Sequence, residues 1–287
     1  MPKAPYSLNM PQVQASPVIF ACPHSGRDYP WSFLRDSILD ERAIRSSEDA
    51  FVDILFDKAP EFGAALLVAN APRAFIDLNR SSEELDPALI EGVRKVAHNP
   101  RVTSGLGVIP RVVSNGRAIY RGKISMEAAR DRISTYWRPY HDRLQQLLNE
   151  THRIHGQAIL IDCHSMPHEA IDAAVTTADP KPQIVLGDRF GAAADHGVVE
   201  AIEAAFAEEG LRVVRNAPFA GAYTAQHYGR PSRGQHVVQV EIDRALYMNE
   251  TLVRPNGNFG SFKALIDRVV ANHLSGMTRH EVPLAAE

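Results

Sequence analysis

Along this chain apolar residues come in short unbroken runs that stop against clusters of polar and turn-forming residues. Val18-Ile19-Phe20-Ala21-Cys22 runs into Pro23-His24-Ser25-Gly26, and Ala158-Ile159-Leu160-Ile161 runs into Asp162-Cys163-His164-Ser165-Met166-Pro167. Runs of this length, closed in this way, read as buried strands of an α/β sheet. The same reading predicts strands over 17–21, 64–69, 73–78, 158–163, 183–186, 211–214 and 236–242. Between them the period changes to that of helices. Phe51, Leu55 and Phe56 predict a helix over 48–61, with Ser46 or Ser47 as its N-cap. Ile133, Tyr136, Tyr140, Leu144, Leu147 and Leu148 predict a long helix opened by Ser125 and ended by Gly156, kinked or split at Pro139. An alanine-rich helix over 195–209 stops at Gly210, and a last one covers 259–274. Residues 1–16 read as an irregular lead-in, and 23–47 as a loop with short helical turns around 31–42. Two long glycine- and proline-rich loops, 85–123 and 216–234, are of a length more often functional than idle and are expected to set specificity. Strands alternating with helices argue one α/β sandwich domain over 1–287.

Composition narrows the function classes. The net charge of −3 and ordinary hydrophobic and charged fractions (45% and 23%) give no basic surface for nucleic acid and no anchor for an anionic membrane. No apolar run reaches the roughly 18–20 residues of a membrane helix. The first residues lack the basic and apolar regions of a secretory signal. The only two cysteines, Cys22 and Cys163, exclude a disulfide framework and make a reducing cytoplasm the expected location. Small buried thiols explain them.

The candidate chemistry lies at the strand ends, where open α/β sheets bind their ligands. His24 and His164 take the same position after two predicted strands. If those strands are neighbours, two imidazoles meet at one rim, as a catalytic zinc site requires. A third ligand would be a carboxylate, for which Glu48 and Asp49 are both near. Acidic residues in a first helical turn also complement the helix dipole without any metal. Glu241 interrupts an apolar strand, either as a buried carboxylate with a raised pKa suited to proton transfer or on a solvated face shared with Gln239. Asn79-Arg80 and Arg189 follow strand ends, and an arginine fork there could anchor a carboxylate. A cysteine hydrolase using Cys163 with His24 is disfavoured, since the thiol ends a strand instead of opening a helix. A non-catalytic protein that binds acidic metabolites would need no metal and could dispense with both histidines.

Taken together, Pro23-His24-Ser25-Gly26, Glu48-Asp49-Ala50-Phe51-Val52-Asp53, Phe75-Ile76-Asp77-Leu78-Asn79-Arg80, Asp162-Cys163-His164-Ser165-Met166, Gly187-Asp188-Arg189 and Val240-Glu241-Ile242 resemble the N-formylglutamate amidohydrolase family. These are zinc hydrolases related in fold to the zinc carboxypeptidases and aspartoacylase. The resemblance runs from Val18 to Glu241. It implies a three-layer α/β sandwich around a central mixed sheet, zinc-carboxypeptidase-like (phosphorylase/hydrolase-like). It implies one zinc or other divalent ion per chain on His24, Asp49 and His164, with Asp49 chosen by aligning Asp53 with the family's second aspartate. Glu241 is similar to the catalytic glutamate, and Asn79-Arg80 to the pair that grips a substrate carboxylate. Arg189, and Tyr223 and His227 on the late loop, are further candidates for substrate contact. The implied reaction is hydrolysis of the N-formyl or another small N-acyl amide of an acidic amino acid, such as N-formyl-L-glutamate, to glutamate and formate. Carboxypeptidase-like cleavage and other N-acyl deacylation are the nearest alternatives. Oligomeric state is not legible in these residues.

Overall fold

The computed structural model describes residues 4–94, 99–172 and 181–277. Residues 1–3 of the expected lead-in and 95–98 of the first long loop lie outside them. The organising element is a mixed sheet of seven strands: β1 (Tyr6–Asn9), β2 (Val18–Cys22), β3 (Ala65–Ala69), β4 (Ala158–Met166), β5 (Ile184–Gly187), β6 (Val213–Arg215) and β7 (Gln235–Asp243), in the order β1-β3-β2-β4-β7-β5-β6. β3, β2, β4 and β7 run parallel in the middle, while β1 and β5 join them antiparallel. Every residue of β2 and β4 is buried. A parallel sheet covered on both sides demands this, which is why these strands appear as unbroken apolar runs.

Period two divides each central strand between two cores. Phe20, Ile161, Val238 and Val240 pack with Ile202, Phe206 and Ile266 from helices His196–Glu208 and Phe259–Val269. Ile19, Leu160 and Val237 face the other way, onto Tyr140, Leu144, Leu147 and Leu148 of helix Arg138–His155. The result is three layers, helix on sheet on helix.

Most expected elements are present with shifted ends. The Ser125 hydroxyl accepts from the Ala128 amide and caps helix Met126–Arg132. A π turn over Ile133–Trp137 then leads into helix Arg138–His155, so the run changes register beside Pro139 and ends at Gly156. Five expectations need correction. The lead-in carries β1, an edge strand held by its pairing with β3. The helix over 48–61 does not form: Phe51 is left-handed at φ 68°, and only Val52–Leu55 and a turn over Ala59–Phe62 are helical. Ser46 and Ser47 cap nothing; the Ser47 hydroxyl accepts from Ser114 N and that of Ser46 donates to Ala43 O. Residues 73–78 are turns, started where Phe75 and Ile76 amides both bond back to Pro72 O. The loop over 216–234 holds a helix, Tyr223–Tyr228.

Candidate metal centre

His24 stands on the turn after β2, and two hydrogen bonds sew that turn to the segment bearing Asp49. The Asp49 amide donates to His24 O (3.1 Å), and the Ser25 hydroxyl donates to Asp49 O (3.0 Å). Gly26 passes so close to the next loop that a Cβ there would lie 2.1 Å from Ala71 O, so glycine is required. His164 lies in β4, next to β2, and Glu241 sits directly across from it on β7. Asp162 and Gln239 form the preceding cross-strand pair on the same face. This is the face that begins with Leu160 and Val237 in the core and turns polar only at the carboxyl end.

The two rings meet at 4.7 Å between centroids. His164 Nδ1 is 2.9 Å and His24 Nδ1 3.4 Å from the same Asp49 Oδ2. The outer nitrogens are engaged elsewhere: His24 Nε2 bonds Asp77 (2.7 Å), and His164 Nε2 bonds Asp162 (3.1 Å). A carboxylate behind each ring fixes the tautomer and turns Nδ1 inward, the usual support of a metal-ligating histidine. His24 Nδ1, buried, has no hydrogen-bond partner. An orphaned buried nitrogen is costly unless something takes its lone pair. Among the described residues, His24, Asp49 and His164 are the one group whose donors converge as metal ligands would, all within 4.8 Å. Two imidazoles and a carboxylate suit zinc and related divalent ions. Glu48, the other candidate, is held away by Arg45 (2.9 Å) and Tyr29 (2.6 Å).

Electrostatics follow from burial. Burial opposes the charge of Asp49, yet the hydrogen bond from His164 and the proximity of both imidazoles outweigh it and hold the carboxyl well below its usual range. Burial likewise opposes a charged His164, but Asp162 and Asp49 raise its pKa well above normal. A divalent cation would replace such protons as the counter-charge. Burial pushes Glu241 up to about 7, with His164 pulling down and Asp49 pushing up. Its carboxylate accepts from Gln239 Nε2 at 2.7 Å. Gln239 and Glu241 do share a face, and that face is buried.

These groups open onto a cleft of about 270 Å³ that is also lined by Arg73, Arg80, Arg101 and Arg244. Arg73 pairs with Asp77 (3.0 Å), and Arg244 with the free oxygen of Asp49 (2.9 Å). Arg80 donates through Nε to Leu106 O and through Nη1 to Asn79 O. The Asn79 side chain is committed within the protein, donating to Asp162 and Gln239 and accepting from Thr224 N. Arg189, Tyr223 and His227 do not line the cleft. Arg189 follows β5, which runs antiparallel to β7, so its strand end points away from the rim. Tyr223 and His227 stack on each other (4.9 Å) against Trp137 and His141, behind Asn79. Asp77, Asp162, Arg73, Arg101, Arg244 and Gln239 went unassigned in the sequence. Period two from His164 and Glu241 would have found Asp162 and Gln239. A larger cleft, of about 1120 Å³ and lined by His152, Asp195 and His236, holds none of the converging donors.

A polar cluster confined to the carboxyl ends of a parallel-centred sheet, with a buried glutamate beside paired imidazoles, defines an α/β protein of the hydrolase class. Residues 16–248 match the sequence model described as N-formylglutamate amidohydrolase, and the chain belongs to that family. It is 30% identical over 242 residues to the N-formylglutamate deformylase of Pseudomonas putida, covering 82% of this chain and 83% of that one. The deformylase of Pseudomonas aeruginosa is 30% identical over 241 residues, with the same coverage. The crystal structure of N-formylglutamate amidohydrolase from Ralstonia eutropha JMP134 superposes with a TM-score of 0.87 at 32% identity, covering 94% of this chain and 96% of that one. No helix among the described residues is long and apolar enough to cross a membrane.

Proposed function

We propose that this chain is a metal-dependent amidohydrolase that cleaves the N-formyl, or another small N-acyl, amide of an acidic amino acid such as N-formyl-L-glutamate. The observation that carries this reading is the convergence of His24, Asp49 and His164 next to buried Glu241 at an arginine-lined cleft. Relatives named N-formylglutamate deformylase support the substrate. His24 and His164, through their Nδ1 atoms, and Asp49 would hold one divalent ion, with zinc the best match to the donors. Bound there, the ion supplies Lewis acidity that polarises the formyl carbonyl and acidifies the attacking water.

The chain's own residues do the rest. Asp77 and Asp162 keep both imidazoles in the tautomer that presents Nδ1. Arg244 neutralises the outer oxygen of Asp49 and leaves the inner one to the donor set. Glu241 accepts the proton of the attacking water and delivers it to the amide nitrogen as the C–N bond breaks, releasing formate and the free amino acid. Gln239 aims that carboxylate by donating to it. Arg80, whose Nη2 donates to no group among the described residues, takes the substrate's α-carboxylate, and Asn79 holds the turn that carries it.

Elemental analysis of the purified protein, alongside His164→Ala, tests this reading. The expected result is about one zinc per chain in the wild type, with metal and turnover of N-formyl-L-glutamate both lost in the variant. A wild type that stays metal-free when zinc is offered would overturn it.

A further inference from the structure

Four guanidinium groups line the cleft, but they are not equivalent. Arg73 and Arg244 are spent on Asp77 and Asp49, the carboxylates that serve the donor set. Arg80 is partly committed, to two backbone carbonyls. Arg101 stands on the short helix Pro100–Thr103 in the first long loop. Its backbone amide is capped by Asn99, while its guanidinium makes no hydrogen bond or ion pair among the described residues. The cleft therefore keeps two cations without an ion-pair partner among the described residues, Arg80, which is buried, and Arg101, which is exposed. They also bear on each other: burial lowers the pKa of Arg80, Asp77 and Glu84 oppose this, and Arg73 and Arg101 lower it further. An anion between Arg80 and Arg101 would relieve that repulsion.

We infer that Arg101 is a specificity-determining residue that binds the side-chain carboxylate of a dicarboxylic N-acyl amino acid while Arg80 holds the α-carboxylate. This rests on the amidohydrolase reading and adds what separates glutamate from its uncharged analogues. The volume of about 270 Å³ holds one small amino-acid derivative. Within it the charged head of Arg101 offers a planar fork that matches a carboxylate and has no comparable partner in a carboxamide. Because the residue is exposed, its replacement leaves the core and the donor set intact.

The experiment is a substrate and binding comparison on zinc-loaded wild type, Arg101→Met and Arg101→Lys. Turnover of N-formyl-L-glutamate is set against that of N-formyl-L-glutamine, which has the same shape and one charge fewer. Calorimetry measures the binding of L-glutamate and L-glutamine to the same proteins. Arg101→Met should lower kcat/KM for the glutamate substrate about 10- to 100-fold, mainly through KM, as loss of a charge-assisted hydrogen bond predicts. Its loss on the glutamine substrate should be about tenfold smaller, so the preference collapses, and Arg101→Lys should restore part of it. Equal losses on both substrates, or an unaltered preference, would overturn the role of Arg101. A wild type that turns over neither substrate, yet binds glutamate over glutamine in a way that Arg101→Met abolishes, would sink the hydrolase reading and keep the anchor. No turnover and no binding preference would sink both.

Discussion

On one face of β4 and β7, Ile161, Cys163, Val238, Val240 and Ile242 are apolar and buried with residues of helices His196–Glu208 and Phe259–Val269, with the polar His236 and Ser165 only at the two ends of that face. On the other, Leu160 and Val237 begin in the core, and Asp162, His164, Gln239 and Glu241 follow one pleat later. Backbone, register and burial are the same for both. The difference is what covers the final turn of each strand: helix side chains on one side, a cleft on the other. A buried polar group survives only where partners satisfy it. On the cleft side each polar residue has at least one, Asp162 through Oδ2 with Oδ1 left over, and the unpartnered His24 nitrogen is the atom through which the ring would bind a metal. One face packs the core and the other, on the proposed reading, carries the chemistry, from the same strands.

The sharpest way to break that comparison is Glu241→Gln. The amide keeps an oxygen to accept from Gln239 but cannot shuttle a proton, so kcat should fall by about 10²–10⁴ with metal content retained. Retained turnover would remove Glu241 from the reaction. On the opposite face, Ile161→Ala should cost about 2–5 kcal/mol in chemical denaturation, with the folded fraction still binding metal. Loss of metal without loss of stability would show that the two faces are not separable.

The smallest effect concerns His141, whose imidazole burial keeps neutral, in contrast to His164 at the rim. It bonds Leu78 O and Tyr228 (2.9 and 2.8 Å) behind the Asn79-Arg80 turn, and burial pulls its pKa down to about 3, with the Leu78 hydrogen bond opposing. The unfolded chain protonates this ring at about 6.5 and the folded one does not until far lower pH. Its contribution is therefore whole above that value and is lost as the pH falls, by about 2 kcal/mol at pH 5. Comparing stability at pH 7 and pH 5 in wild type and His141→Asn isolates this share, and an identical pH dependence in both would refute it.

Much of this was legible from local pattern. The runs at 18–22 and 158–161 give strands because both faces are covered, and the histidines after them fall at one rim because β2 and β4 are neighbours. What stayed hidden depends on partners far along the chain. Tyr6–Asn9 is a strand only through β3. Ala74-Phe75-Ile76 imitates a strand, but its apolar side chains fill the core from a turn begun at Pro72. The helix expected over 48–61 yields at Phe51, whose left-handed backbone follows directly on the segment that carries Asp49 to the histidines. Arg189 looked equivalent to the residues at the rim because a sequence does not reveal that β5 runs in the opposite sense.

The pairing of the central strands also sets an order of events. Val18 pairs with Ile159, and Ala158 with Gln235, so both central pairings join segments far apart in the chain. Closing such long loops is slow in a folding chain. During synthesis, His24 and Asp49 leave the ribosome long before His164 and Glu241 exist to meet them. No amino-terminal fragment that stops short of His164 holds the complete donor set, and all three proposed ligands converge only once β2 and β4 have paired.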